Sequence, residues 1–291
     1  MDSYILVIGS TGRIGREYSL HLKKNNTQYI GISRAKSSSD SPYIKIDFDS
    51  PDIKNLEDFI SKNKIKAIIH LATTNTLMND SIEYHKKINV GSVKLFLDLI
   101  RKHNLRCPFI YTSTELVFNS KREGQEEYSQ DFNPLGNYAK SKLMAENEAL
   151  KYEKSFVVRF GNVIGIENDF LNSAIKILKE KKAYNAWDNV CNRFTCIKDI
   201  IYALDEITQY NGNQRVFHIA CNDSPLSRYE FLKKAIEIKY GDAELLKYLN
   251  KTSATREQLL TRPQYAVLNT KITEKELNFK PRSIFDCLSR Q

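Results

Sequence analysis

The amino-acid sequence predicts an α/β fold, a doubly wound parallel sheet with a smaller, mostly helical lobe. Short β-branched runs alternate with segments of helical period through the first half of the chain, the pattern of a parallel sheet covered by helices. A glycine-rich turn stands directly between the first strand and the first helix, and after Gly161 the rhythm changes to helices with one further strand. With 291 residues, 41% hydrophobic and 27% charged, the chain can bury a sizeable core as one large or two modest domains.

In order, strands are expected over 4–8, 29–33, 44–46, 67–70, 109–113 and 156–159, with helices over 13–25, 53–62, 82–103 and 136–153 between them. Polar, turn-rich stretches at 35–42 and 119–133 read as surface loops. Further helices are expected over 168–181, 198–210, 227–238 and 243–249, with a strand over 215–220. This places a cofactor-binding domain at 1–160, with a return to it at about 197–221, and a substrate-binding lobe at 161–196 and 222–291.

The 44 Lys+Arg against 35 Asp+Glu give a net charge of +9, which suits an anionic ligand without choosing one. The basic residues are scattered over helix faces, so no nucleic-acid partner is expected. The longest apolar runs, 4–9 and 65–72, are strand-sized, so no membrane span is expected. The chain starts into a strand without a basic and then apolar leader, so a cytoplasmic protein is expected. Five cysteines (Cys107, Cys191, Cys196, Cys221, Cys287), an odd number without a Cys-x-x-Cys pair, predict reduced, mostly buried thiols. His70, His85 and His218 show no metal-ligand spacing, and His218 in an apolar strand reads as a structural histidine.

Gly9-Ser10-Thr11-Gly12-Arg13-Ile14-Gly15 follows the first strand and opens an amphipathic helix. A strand, a glycine turn and a helix N-terminus present backbone N–H groups to a pyrophosphate, which makes these seven residues a dinucleotide site of Rossmann type. The second strand ends Ser33-Arg34, where an acid would hold a free ribose 2′-OH; a hydroxyl and a guanidinium suit a 2′-phosphate instead. NADP(H) is therefore expected in preference to NAD(H), with NAD(H) possible. Leu71, Ala72 and Thr73, after the fourth strand, are expected along the cofactor, and Thr74 at the substrate.

Tyr138 and Lys142 lie one turn apart on one helix face. A nearby ammonium favours the phenolate and equips Tyr138 to donate a proton to a carbonyl as hydride arrives. Upstream, the strand ending Thr112-Ser113-Thr114 places hydroxyls at its carboxyl end, where Thr114 or Ser113 is expected to hydrogen-bond the substrate carbonyl.

Gly9, Gly12, Gly15, Thr114, Tyr138 and Lys142, in this order, resemble the extended short-chain dehydrogenase/reductase family acting on nucleotide sugars, over nearly the whole chain. Within it the sequence looks most like the dTDP-4-dehydrorhamnose reductase branch. Ser113-Thr114-Glu115-Leu116-Val117-Phe118 resembles its Ser-Thr-Asp-Tyr-Val-Phe, the 133–146 segment its Pro-Leu-Asn-x-Tyr-Gly-x-Thr-Lys-Leu-x-Gly-Glu, and Arg262-Pro263 with Leu268-Asn269-Thr270 its ending. Leu116 departs from the branch tyrosine, and Gly161-Asn162 stands where an aromatic is common. The resemblance implies that Asp47 contacts the adenine, that Asn89 anchors a relay water beside the cofactor, and that Lys142 holds the nicotinamide ribose. It also implies that Glu115, Asn162, Arg193 and Arg262 face a nucleotide-diphosphate-sugar.

Relatives that eliminate water carry a second acid where Leu116 stands, and relatives that epimerise with a cysteine carry it where Glu115 stands. The expected reaction is thus NADPH-dependent reduction of a keto group, at C4, of a nucleotide-activated deoxysugar for surface polysaccharide or glycoside biosynthesis. A nucleotide-sugar epimerase and a non-catalytic NADP-binding regulatory subunit are the alternatives. The resemblance also implies a homodimer through the helix bearing Ile88, Leu95 and Leu99 and the helix starting at Tyr138, although the same stripe could be core.

Overall fold

The computed structural model describes residues 3–35, 42–74, 81–241 and 243–288. Most of the loop expected at 35–42 lies outside the described residues. In chain order the first half forms β1 (Ser3–Ile8), α1 (Arg13–Lys24), β2 (Tyr29–Ser33), β3 (Tyr43–Lys45), α2 (Lys54–Lys62), β4 (Lys64–His70), α3 (Ile82–His85), α4 (Gly91–Lys102), β5 (Phe109–Thr114), α5 (Gly136–Ala149) and β6 (Ser155–Phe160). Then come β7 (Val163–Ile164), α6 (Phe170–Lys179), β8 (Tyr184–Trp187), β9 (Cys191–Asn192), β10 (Thr195–Cys196), α7 (Ile197–Gln209), β11 (Val216–Ile219), β12 (Leu226–Ser227), α8 (Arg228–Tyr240), α9 (Ala243–Leu246), β13 (Leu249–Thr252), β14 (Tyr265–Ala266) and α10 (Lys271–Glu276).

A seven-stranded sheet runs in the order β11-β6-β5-β4-β1-β2-β3. Strands β1 to β5 pair parallel, with Ile8 level with Ile32 on one side and His70 on the other. The chain winds outward from β1 to β3 and then returns across it to β4. The carboxyl ends of β1 and β4 therefore flank the reversal point, where open α/β sheets bind ligands. The strands are near-continuously buried, as expected of a sheet covered on both faces: every residue of β2 and β5 is buried. Their core, built from residues such as Leu6, Ile32, Ile68, Phe96 and Phe109, gains about 1.5–3 kcal/mol for each large side chain removed from water.

The helix expected over 82–103 is interrupted. Ser81 caps α3 by accepting from the Tyr84 N–H, and a π-helical turn over Lys86–Val90 joins α3 to α4. Leu99 lies within the core, while Ile88 and Leu95 are partly buried and pack against it.

The chain divides into two compact units: Met1–Ser113, Asn137–Val158 and Ala203–Val216 in the first, and Thr114–Gly136, Arg159–Tyr202 and Phe217–Gln291 in the second. The 114–136 segment thus counts with the second unit rather than with the cofactor domain. That unit is mainly helical in its regular structure, through α6, α8, α9 and α10. It carries three small sheets, β10-β7, β12-β9-β14 and β13-β8, beside its helices. Strands of two to four residues are too short to show a period of two, so sequence pattern could not announce them. Phe194 stacks on Phe231 at 4.2 Å in its core, and α8 is closed by a Ser227–Glu230 capping box and by Gly241 at φ 56°.

Two further expectations change. Cys196 and Cys287, 91 residues apart, are joined by a disulfide, with Cα atoms 6.3 Å apart, while Cys107, Cys191 and Cys221 are free. Spacing along the chain does not reveal such a pair because only the fold brings it within bridging distance. The 119–133 stretch is not simply a surface loop: Gln125 and Glu127 are buried, and Glu127 accepts hydrogen bonds from the Thr273 N–H and hydroxyl, both at 2.9 Å.

Candidate active site

In the first unit the glycine turn is built by close approach. Gly9, at φ +84°, leaves no room for a side chain, since a Cβ there would lie 2.6 Å from the Ala72 nitrogen. A Cβ on Gly15 would overlap the Gly9 carbonyl, so α1 can start tight against the turn. Gly12 caps α1 with no side-chain hydrogen bond, and no acidic residue occupies the first turn, whereas His21, Lys23 and Lys24 fill the last. The positive end of the helix dipole is thus not met by an acidic side chain of its own first turn, which suits an anion there. Ser10 is buried with its hydroxyl unpartnered, and the Leu71 N–H donates to the Ile8 carbonyl at 2.8 Å, drawing Leu71 and Ala72 beside the turn. An orphaned hydroxyl and a cradle that any Cβ would fill fit a dinucleotide at Gly9–Gly15.

Toward the sheet edge, Ser33 is buried and its hydroxyl donates to the Ala35 carbonyl at 2.7 Å, while Arg34 is exposed. Asp47 lies two residues beyond β3 and accepts from the Asp49 N–H at 3.1 Å.

Lys142 is 2% exposed. Its ammonium donates to the Thr112 carbonyl at 2.7 Å and sits 4.2 Å above the Tyr111 ring centroid. Burial lowers it to about 7, partly offset by Glu146. The Tyr111 phenol is pushed well up by burial and then by the neighbouring Tyr138, and its hydroxyl has no hydrogen-bond partner. Tyr138 packs its ring edge-on to His85 at 6.2 Å. Ser113, at the end of β5, is buried with its hydroxyl unpartnered.

Asn89, fully buried in the π-helical turn, has every side-chain partner inside the protein. Its carbonyl oxygen accepts from the Thr73 hydroxyl at 3.2 Å and the Thr74 N–H at 3.0 Å, and its amide donates to the Thr74 hydroxyl at 3.0 Å and Ser141 at 2.8 Å. Ser141 in turn donates to the Tyr138 carbonyl at 2.7 Å, and Thr74 meets His85 Nδ1 at 2.6 Å. The asparagine therefore ties the chain after β4 to the first turns of α5, which carry Tyr138 and Lys142.

In the second unit Thr114 donates to Glu115 Oε2 at 3.4 Å and accepts from the Leu116 N–H at 3.3 Å. Glu115 is 6% exposed, and its carboxyl occupies the space that a side chain at Gly161 would need. Burial raises it to about 7 against its own backbone N–H, Arg262 and Thr114, which favour the carboxylate. Asn162 is partly exposed and its carbonyl accepts from the Thr195 N–H at 3.0 Å. Arg193 donates to the Leu268 carbonyl at 3.3 Å through one terminal nitrogen, while its buried Nε has no partner.

Over residues 3–289 the chain matches the family model of the RmlD substrate binding domain. The chain belongs to this family. It is 23% identical over 290 residues to the spore coat polysaccharide biosynthesis protein SpsK of Bacillus subtilis (strain 168), covering 96% of this chain and 93% of that one. Its fold is similar to that of a dTDP-4-dehydrorhamnose reductase from Bacillus anthracis str. Ames in complex with NADP, with a TM-score of 0.78, 18% identity and coverage of 100% and 98%. It is equally similar to a UDP-glucuronic acid 4-epimerase from Bacillus cereus in complex with UDP-glucuronic acid and NAD, with a TM-score of 0.80, 20% identity and coverage of 98% and 96%.

For an RmlD-family chain, one residue missing from the sequence reading is Arg228. Its guanidinium lies over Phe170 and Trp187, at 5.1 and 5.7 Å from the ring centroids, and is lowered by burial and then by Arg262. A buried guanidinium with the charge of Arg262 acting on it is a place an anion would neutralise. A signal was present in the sequence, because an arginine directly after a helix-capping serine opposes the helix dipole. His218 is held as expected of a structural histidine: Nδ1 bonds the Asn269 carbonyl at 3.1 Å and Nε2 faces Arg159 at 3.4 Å. Among the described residues no helix is long and apolar enough to cross a membrane.

Proposed function

We propose that the protein is an NADPH-dependent reductase of a keto group, at C4, of a nucleotide-activated deoxysugar. The observation that carries this reading is the fixing of α5: Asn89 and Ser141 hold its first turns, and Lys142 is locked between the Thr112 carbonyl and the Tyr111 ring. A nicotinamide cofactor bound at Gly9–Gly15 supplies the hydride.

The residues of the chain do the rest. Tyr138 gives its phenolic proton to the carbonyl oxygen. Lys142 is a desolvated cation whose charge is felt strongly by a nascent phenolate, and it also holds the cofactor ribose. Ser113 and Thr114 donate hydrogen bonds to the carbonyl oxygen, where negative charge builds as hydride adds. Ser10, Thr11, Arg13, Ile14, Leu71, Ala72 and Thr73 line the dinucleotide, with Ser33, Arg34 and Asp47 at its adenosine end. Thr74, Glu115, Asn162, Arg193 and Arg262 bind the nucleotide sugar, and Arg228 joins Arg262 on its diphosphate. The product enters surface polysaccharide or glycoside synthesis, in keeping with the similarity to a spore coat polysaccharide protein. The enzyme works in the cytoplasm, as a homodimer.

The test follows nicotinamide absorbance while the protein meets NADPH, then NADH, with a panel of nucleotide-linked 4-keto-6-deoxysugars. Substrate-dependent NADPH consumption is expected. Tight cofactor binding with product formed and none consumed makes the protein an epimerase; binding with no product makes it a regulatory subunit.

A further inference from the structure

The hydrogen-bond inventory around Thr114 is incomplete for the role given to it above. A hydroxyl has one hydrogen to give and two lone pairs to receive with. Thr114 receives from the Leu116 N–H and gives its one hydrogen to the Glu115 carboxyl. In this arrangement it has nothing to offer a substrate carbonyl.

We propose that Glu115 is a positioning residue that sets the direction of the Thr114 hydroxyl. As a carboxylate it takes the Thr114 hydrogen. As a carboxylic acid it gives its own proton to the second Thr114 lone pair, and Thr114 is then free to donate to the substrate carbonyl. No bond other than O–H is made or broken, and the proton taken up by Glu115 comes from solvent. The inference rests on Thr114 binding the carbonyl in the proposed reductase.

Two features of the structure support this. The carboxyl has a place of its own: a Cβ at Gly161 would lie 2.6 Å from Glu115 Cδ and Oε2 and 2.7 Å from Oε1, so the glycine after β6 is what admits the acid beside Thr114. The acid is also buried, which favours its neutral form and brings its ionisation to about 7, inside the working range. The charged side chain acting on it is Arg262, which with Thr114 and the Glu115 backbone N–H favours the carboxylate; these keep the group switchable rather than permanently protonated.

The sign follows. Reduction proceeds with Glu115 protonated, so kcat/KM falls as pH rises through the Glu115 ionisation, by about tenfold per pH unit above it. In Glu115→Gln the amide N–H₂ takes over the donation to Thr114 at every pH, so the part of the fall due to Glu115 is lost and only the shallower fall expected from Lys142, lowered to about 7 by burial, remains. The decisive comparison is the pH profile of kcat/KM for the wild type and Glu115→Gln. An identical alkaline fall in both proteins overturns the proposal.

A second measurement stands apart from turnover. In protein labelled with ¹³C at the glutamate carboxyl, NMR is expected to show one carboxyl titrating near neutral pH that is absent from Glu115→Gln. In Thr114→Val its midpoint moves upward, because the carboxylate has lost a donor. A Glu115 that titrates in the ordinary carboxyl range, or a midpoint indifferent to Thr114→Val, overturns the proposal even if the enzyme is a reductase. If no nucleotide sugar is reduced by any variant, the reductase reading fails while the titration still reports on the Glu115–Thr114 coupling. Gly161→Ala covers the case of a Glu115 variant that does not fold: the added methyl displaces the carboxyl from Thr114, and the part of the alkaline fall due to Glu115 is expected to disappear. A fall as steep in Gly161→Ala as in the wild type counts against the proposal.

Discussion

At the residue scale the chemistry rests on a few polar atoms whose environments differ sharply. Tyr138 and Lys142 share a helix face, and Lys142 is clamped there by a carbonyl and an aromatic ring. Removing the Tyr138 hydroxyl in Tyr138→Phe is expected to lower kcat by about 10²–10⁴-fold. NADPH affinity, measured by fluorescence titration, stays within a few-fold because the glycine turn is untouched; unchanged turnover would rule out a catalytic tyrosine. Cofactor choice turns on Arg34. Exposed at the end of β2, it is expected to form a charge-assisted contact to a 2′-phosphate of about 1.5–3 kcal/mol. Arg34→Ala should therefore cut the preference for NADPH over NADH by about tenfold or more, read from the two dissociation constants. Ser33 already gives its hydrogen to Ala35, so Ser33→Ala should change the preference less.

Elements hold these residues in place. The π-helical turn between α3 and α4 buries Asn89, whose amide serves the chain after β4 and the start of α5 at once. Asn89→Ala leaves Thr74 and Ser141 short of partners in a buried setting and is expected to cost about 1–3 kcal/mol, read from denaturant unfolding. It should also depress kcat, because α5 loses the tie that orients Tyr138; a change in stability alone would confine Asn89 to the scaffold. The glycine turn, the β5 hydroxyls and the Tyr138–Lys142 spacing were legible in the sequence because each is local, set within a turn or two. The Asn89 network was not, since its partners lie 15 and 52 residues away. Arg228 was marked in the sequence only by its unfavourable place at a helix start, and its neighbour Arg262 came with the fold.

Across the whole molecule, buried histidines link stability to pH. His70 and His218 are lowered from 6.5 to about 3, first by burial and then by Lys142 and Arg159 respectively. Each is neutral when folded but protonates when unfolded, so its contribution to stability is present above about pH 6.5 and is lost as pH falls toward 3. Glu115, raised to about 7, acts the other way between its ordinary range and neutrality and offsets one of the two. The part of the stability that rests on these histidines is therefore expected to decline from pH 6.5 downward. Denaturant midpoints measured across that range should fall more gently in His218→Gln than in the wild type, and parallel curves would remove His218 from this account.

The sequence by itself determined the alternation of strands and helices, the glycine turn, and the order of the hydroxyl, tyrosine and lysine positions, because periodicity and turn chemistry act over a few residues. The tertiary structure alone decided the small sheets of the second unit, the Cys196–Cys287 disulfide, the neutral histidines and the space at Gly161 that admits Glu115. Each of these depends on what lies next to a residue in space, and burial and pairing across distant segments exist only once the chain has folded.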